Sequence, residues 1–245
     1  MTRSVACDLF TIGHSNLAAD RFVALLKHAG VTAVADVRSV PFSRWCPWFS
    51  GKALTERLAG EAIAYIALGD ALGGRPRDPR LYRDGVADYE AMGASEEFAA
   101  GLQRVVDETA HHRVCLLCAE REPLDCHRCL LVGRALAARG LALGHIRPGG
   151  RIEPHAATEQ RLLALAGDEI DLFRDGAERL AHAYRRRAQA VAARIKARAR
   201  DGNASPSAEG LRAMCGVPAA FRLTGGIPRF TRQPHCGARR RIESA

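Results

Sequence analysis

The 245-residue chain predicts an α/β fold: a three-layer, Rossmann-like domain on a mostly parallel five-stranded sheet, followed by a basic helix and a disordered tail. Three observations predict it. Over residues 1–165, short apolar or β-branched runs alternate with amphipathic stretches, which calls for crossover connections and parallel strands. Polar and ionisable residues recur where each apolar run ends. Basic charge gathers beyond that region: residues 174–245 carry 16 Lys+Arg against 5 Asp+Glu, leaving 20 and 22 of the totals of 36 and 27 for residues 1–173. The expected division is therefore an α/β domain over 1–170, a basic amphipathic helix over 171–200 and a tail over 201–245.

Residues 8–13 read as the first strand and 19–29 as a helix, with Phe22, Leu25 and Leu26 on one face, Asp20 at its positive end and Gly30 as terminator. The β-branched run 31–37 is the second strand, 52–59 a short helix and 63–68 the third strand. Residues 86–109 read as mostly helical with a break at 93–95, where Ser95 ahead of Glu97 and Phe98 supplies a fresh N-cap. Residues 113–118 form the fourth strand, 126–139 a helix, 141–146 the fifth strand and 154–166 the last core helix. Asn16 is expected to cap the first helix. In the basic helix, Leu172, Leu180, Tyr184, Val191 and Ile195 make a stripe, while the tail is rich in Gly, Pro, Ser and Arg without periodicity.

Composition narrows the function classes. With 47% hydrophobic residues the chain is globular. No run reaches the roughly 18 apolar residues of a membrane span, and the first residues turn polar too soon for a secretory signal, so a cytoplasmic protein is expected. Cys7 and Cys115, two of the eight cysteines, fall in apolar strands, which fits a reducing compartment better than a disulfide framework. Residues 1–173 are nearly neutral, so overall basicity gives no reason to read the core as a nucleic-acid binder.

Each strand end carries chemistry. His14, Ser15 and Asn16 follow the first strand. Asp36, Arg38, Ser39, Ser43 and Arg44 follow the second, and Gly73, Gly74, Arg75 and Arg77 the third. The richest turn follows the fourth strand, with Cys118, Glu120, Cys126, His127 and Arg128 between a strand and a helix, where α/β sheets bind ligands. His14, Asp36, Cys118, Glu120, Cys126 and His127 are the candidate catalytic residues. Arg38, Ser43, Arg44, Arg75 and Arg128 are the candidate anion clamp, because guanidinium forks match phosphate and carboxylate. Asp36 either positions a ligand hydroxyl or simply holds Arg38. Trp45 and Trp48 either close over a ligand or anchor their loop.

Taken in order, Thr11-Ile12-Gly13-His14-Ser15-Asn16, the run from Ala35 to Arg44, Leu68-Gly69 with Leu72-Gly73-Gly74, and Leu117-Cys118-Ala119-Glu120 with Cys126-His127-Arg128 resemble the family known as domain of unknown function 488. The resemblance covers residues 8–165. It implies a small α/β domain with a set of polar motifs and names no substrate or reaction.

These residues point to an enzyme, a transferase or hydrolase, acting on a phosphate-bearing ligand, either a nucleotide or nucleic acid. No GxGxxG or Walker A loop occurs, so neither a nicotinamide nor a P-loop cofactor is expected. No metal is expected: in a four-cysteine zinc site Cys115 and Cys118, three apart on a strand, would have to converge although they point to opposite faces. Two alternatives remain: a non-enzymatic anion or nucleic-acid binding module, and a thiol or metal protein using Cys118, Cys126 and Cys129, with His127 as a further ligand. The basic segment from residue 174 on is either a solvated helix packed loosely on the domain, a nonspecific nucleic-acid contact, or a membrane-surface or partner helix, and residues 1–173 are expected to fold and keep the strand-end site without it.

Overall fold

Among the described residues, 7–167 and 175–200 of this computed structural model, the chain alternates strands and helices as its apolar runs require. In order these are β1 (Leu9–Gly13), α1 (Ala19–His28), β2 (Ala33–Asp36), α2 (Gly51–Ala59), β3 (Ala64–Ala67), α3 (Gly69–Leu72), β4 (Tyr82–Arg83) and β5 (Val86–Ala87). Then follow α4 (Tyr89–Gly93), α5 (Glu96–Thr109), β6 (Val114–Cys118), a π-helix (Arg128–Gly133), α6 (Arg134–Ala138), β7 (Leu143–Ile146), β8 (Ile152–Pro154), α7 (His155–Ala166) and α8 (Gly176–Arg200).

The main sheet has the order β3-β2-β6-β1-β7-β8. Its first five strands are parallel, and β8 runs antiparallel to β7 at the edge. The expected sheet had five strands; β8 is the sixth. Its three residues follow the turn containing Gly149 and Gly150 and are too few to show an alternating pattern. Residues 86–87 also differ from expectation. They pair with β4 as a hairpin whose turn, Asp84-Gly85, takes positive φ, and the helix begins only after Asp88, which caps α4. The break at Ser95 is where expected, with its hydroxyl accepting from Phe98 N–H.

Two cores flank the sheet. Phe10, Ile12, Val34, Cys115 and Leu117 pack with Phe22, Leu25 and Leu26 of α1 and with Leu54 and Leu58 of α2. On the other face Ala33, Ala35, Leu116 and Cys118 pack with α5, the π-helix and α8. Cys115 and Cys118 thus lie in different cores, as strand alternation requires. Neighbouring strands β1 and β6 send their connections in opposite directions, β1 toward β2 and β6 across β1 to β7, with α1 and α6 on opposite faces. A crevice at the carboxyl ends follows from such a reversal.

The basic helix packs on this body. Ala183, Tyr184, Ala188, Val191 and Ala192 are buried, and Leu180 and Ile195 lie against the same core. Leu172 and the tail over 201–245, with its expected disorder, lie outside the described residues.

Candidate functional site

β1, β2 and β6 end side by side, and their last residues aim one set of side chains into a cavity of about 330 Å³. Its walls include His14 from β1, Arg38 and Ser43 after β2, Arg75 after α3, and Cys118, Glu120 and His127 after β6. Phe42 and Val40 stand exposed at the same cavity, and Ile195 of α8 reaches it.

Backbone proximity at the strand ends makes this arrangement. Gly13 pairs with Cys118 across the β1–β6 ladder, and His14 and Ser15 N–H donate to the carbonyls of Cys118 and Ala119. Gly74 lies against the imidazole of His127, where a Cβ would come within 2.7 Å of the ring. Only glycine allows the two loops to meet.

Arg38 is held rather than mobile. Asp36 accepts from its Nε at 2.8 Å and its Nη2 at 2.6 Å, and the Tyr65 hydroxyl donates to the same carboxylate at 2.8 Å. His14 accepts from Arg38 Nη1 at 3.2 Å, because its own Nδ1–H donates to the Ser15 carbonyl at 2.9 Å and leaves Nε2 bare. Burial, then the Arg38 charge, lowers the His14 pKa to about 4, so the ring is neutral at pH 7. Arg75 is exposed, and its backbone N–H donates to Ser39 Oγ at 2.9 Å.

The thiol centre lies deeper. Cys118 Sγ and Cys126 Sγ stand 3.0 and 3.1 Å from Glu120 Oε2, and 3.7 and 3.9 Å from His127 Nδ1. His127 Nε2–H donates to the Val37 carbonyl at 2.8 Å, which turns Nδ1 toward the sulfurs. Burial raises the Cys118 pKa, reinforced by Cys126 beside it. Burial acts on Cys126 too but is outweighed by a hydrogen bond from Cys118 and by the Arg128 and His127 charges, so Cys126 loses its proton more easily. Burial, then the Cys126 charge, raises Glu120.

Several expected site residues sit elsewhere. Arg128 is buried and is not part of the anion clamp. Its Nη1 and Nη2 donate to the carbonyls of Glu120 and Arg121 at 2.5 and 3.1 Å, so it fastens the loop after β6. Arg44 stacks over the Trp45 ring at 4.8 Å and does not line the cavity. Asp36 is buried behind Arg38, which it positions. Cys129 belongs to another cluster, with His145 and His155, so the three-thiolate arrangement does not form. Trp48 anchors its loop through Nε1–H to the Leu17 carbonyl. Asn16 accepts from Arg121 Nη2 rather than capping α1, whose Ala18 cap has no side-chain bond. Tyr65, Phe42, Val40 and Ile195 were not expected at the site. Tyr65 is a strand residue whose role exists only through its neighbour on β2.

A larger hollow of about 420 Å³ lies between the β4–β5 hairpin and α8. Of its charged residues, Arg83 pairs with Asp88 and Glu90 with Arg134. Nothing in it matches the convergence of acid, thiol and imidazole at the strand ends.

Residues 18–135 match the family model described as Domain of unknown function DUF488. That segment belongs to the family. The match is narrower than the motif resemblance, leaving His14 before it and β7, α7 and α8 after it. No curated protein and no solved structure matches the chain. Among the described residues no helix is long and apolar enough to cross a membrane.

Proposed function

We propose that this chain is an enzyme acting on a phosphate-bearing ligand, a nucleotide or a nucleic-acid end, by transfer or hydrolysis. The observation that carries this is one cavity lined by two arginines from separate loops and by a buried acid–thiol–imidazole centre. Arg38 is rigid, with N–H groups beyond those used by Asp36 and His14 for a phosphate oxygen. Arg75 approaches from the exposed side. Phe42 and Val40 offer an apolar surface beside the anion site, which suits a base or sugar ring. Glu120, lining the cavity with its pKa raised, is the acid–base group. Neutral His14 accepts from Arg38 and thereby fixes which guanidinium edge faces the ligand.

A thermal-shift panel of nucleotides and inorganic phosphate tests the reading. A ligand at 100 times its Kd stabilises by about 2.7 kcal/mol, a readily measured shift. Arg75→Ala should abolish most of that shift without lowering the stability of the free protein. Silence toward every phosphate compound would overturn the proposal. Binding without turnover, unchanged by Glu120→Gln, would favour a non-enzymatic anion-binding module.

A further inference from the structure

We propose that Cys118, Cys126 and His127 bind a zinc-class divalent ion whose fourth position opens toward the cavity. The assignment concerns the site of the proposed function. Metal binding itself does not depend on the anionic ligand; the use of the metal in turnover rests on that reading.

The donor set is the first reason. Cys118 Sγ, Cys126 Sγ and His127 Nδ1 all lie within 4.8 Å of one another. Zinc–sulfur bonds of about 2.3 Å and zinc–nitrogen bonds of about 2.0–2.1 Å at tetrahedral angles place sulfur and nitrogen about 3.6 Å apart. The observed separations of 3.7 and 3.9 Å are close to that spacing. Two soft thiolates and an imidazole select zinc over magnesium or calcium.

Orientation is the second reason. A metal-bound histidine almost always donates its remote N–H to a carbonyl or carboxylate, which fixes the ring and bares the other nitrogen. His127 does this through Nε2–H to the Val37 carbonyl. The π-helix beginning at Arg128, a geometry common at functional sites, follows directly on this ligand. Buried Arg128 offsets negative charge on the two sulfurs.

Access is the third. Cys118, His127 and Glu120 line the cavity, whereas Cys126 stands behind them. Three protein ligands with one open position is the catalytic, not the structural, form of a zinc site. A metal held there would make a water in that position acidic, and Glu120, on the same cavity wall, is the group placed to accept its proton. Arg38 and Arg75 would hold the ligand's phosphate on the same walls.

Metal analysis of the untagged full chain, purified without chelator, should find close to one equivalent of zinc. Cys118→Ser and His127→Gln should lose it, whereas Glu120→Gln and Cys129→Ala should keep it. Cobalt(II) added to apo wild-type protein should give intense thiolate-to-metal absorption in the near ultraviolet, a readout independent of whether any variant folds. A metal-free protein that cobalt leaves colourless overturns the inference. So does metal retained in Cys118→Ser but lost in Cys129→Ala, which would place it at Cys129, His145 and His155. Loss of metal in Glu120→Gln would make that carboxylate the fourth ligand and overturn the open position. Nucleotide stabilisation in a wild-type protein that takes up neither zinc nor cobalt would leave the anion-binding reading standing while this one falls.

Discussion

Gly13 ends β1 so close to the loop after β6 that a Cβ there would stand 1.8 Å from the Glu120 carbonyl oxygen and 3.1 Å from Arg128 Nη1. Backbone cannot yield as a side-chain tip can, so Gly13→Ala should destabilise by about 3 kcal/mol or more. Gly149→Ala, with nothing within 4 Å, should stay within about 0.5 kcal/mol. Urea midpoints of the two variants check the contrast. Arginines separate similarly. Arg128→Ala unpairs two carbonyls and removes a buried countercharge, so about 3–5 kcal/mol should be lost; Arg75→Ala should change ligand binding alone. This division was not legible in the sequence, where Arg38, Arg44, Arg75 and Arg128 all stand in loops after strands. What distinguishes them is whether a carbonyl, a ring or a cavity lies within reach. His14 was legible because it directly follows a strand, but its neutral state comes from burial and from Arg38. Folding lowers its pKa from 6.5 to about 4, so the unfolded chain protonates first as pH falls. Its contribution to stability is full above pH 6.5 and diminishes as pH drops toward 4, by roughly 3 kcal/mol in all. Relative to His14→Gln, the wild type should lose stability faster across that window in pH-dependent denaturation.

At the scale of elements, β7, α7 and α8 are tied by a chain of buried hydrogen bonds whose direction is fixed from one end. Tyr184 donates its hydroxyl to Glu159 at 3.0 Å, so it must accept from His155 Nε2–H at 3.1 Å. His155 Nδ1 then accepts from His145 Nε2–H at 3.0 Å, and His145 Nδ1 accepts from the Thr11 hydroxyl at 2.8 Å. Burial lowers the pKa of both histidines, in keeping with the neutral forms this direction needs. Tyr184→Phe removes the nearer acceptor of His155 Nε2–H, leaving Glu159 at 3.5 Å, and should cost about 1–3 kcal/mol. Helix α8 is therefore more than an appendage. Arg187 and Arg194 pair with Asp125, Arg187 Nε donates to the Leu124 carbonyl, and Tyr184 and Val191 are buried. Residues 1–173 alone should thus expose an apolar face and unfold less cooperatively than the full chain, binding a dye such as ANS where the full chain does not. The expectation that this fragment stands by itself does not fit the packing. The stripe of Leu180, Tyr184, Val191 and Ile195 was readable from its spacing; that the domain face would receive it was not. The helix expected over 126–139 was legible in extent, but its π-helical first half was not, because the wider turn has no sequence signature separate from an ordinary helix.

For the whole molecule, the alternation of strands and helices over residues 8–166 made the three layers readable, since a parallel strand buried on both faces is necessarily an apolar run. Strand order was not readable. It arises from β6 inserting between β2 and β1, and only this brings Arg38, His14 and Cys118 to one cavity. Charge is the other whole-molecule property, and it divides further than residue counts suggest. In α8, Arg187 and Arg194 are paired with Asp125, Arg186 donates to the Ala166 carbonyl, and Lys196 to the Asp84 carbonyl. Cations held this way are poor at neutralising phosphates. Residues 201–245 carry 7 Arg and 3 Asp+Glu. Any sequence-independent nucleic-acid binding should therefore depend mainly on them, with affinity falling linearly in log salt by a slope of about 0.9 per phosphate neutralised. Filter binding of a random duplex to the full chain and to residues 1–200 across a salt series measures both slopes. The shorter chain should bind weakly with a much flatter slope, and Arg187→Gln with Arg194→Gln in the full chain should leave the slope nearly unchanged. Equal slopes for the two lengths would move the phosphate contacts onto α8 or into the strand-end cavity, and the second possibility would give the anion clamp of Arg38 and Arg75 a polymeric ligand.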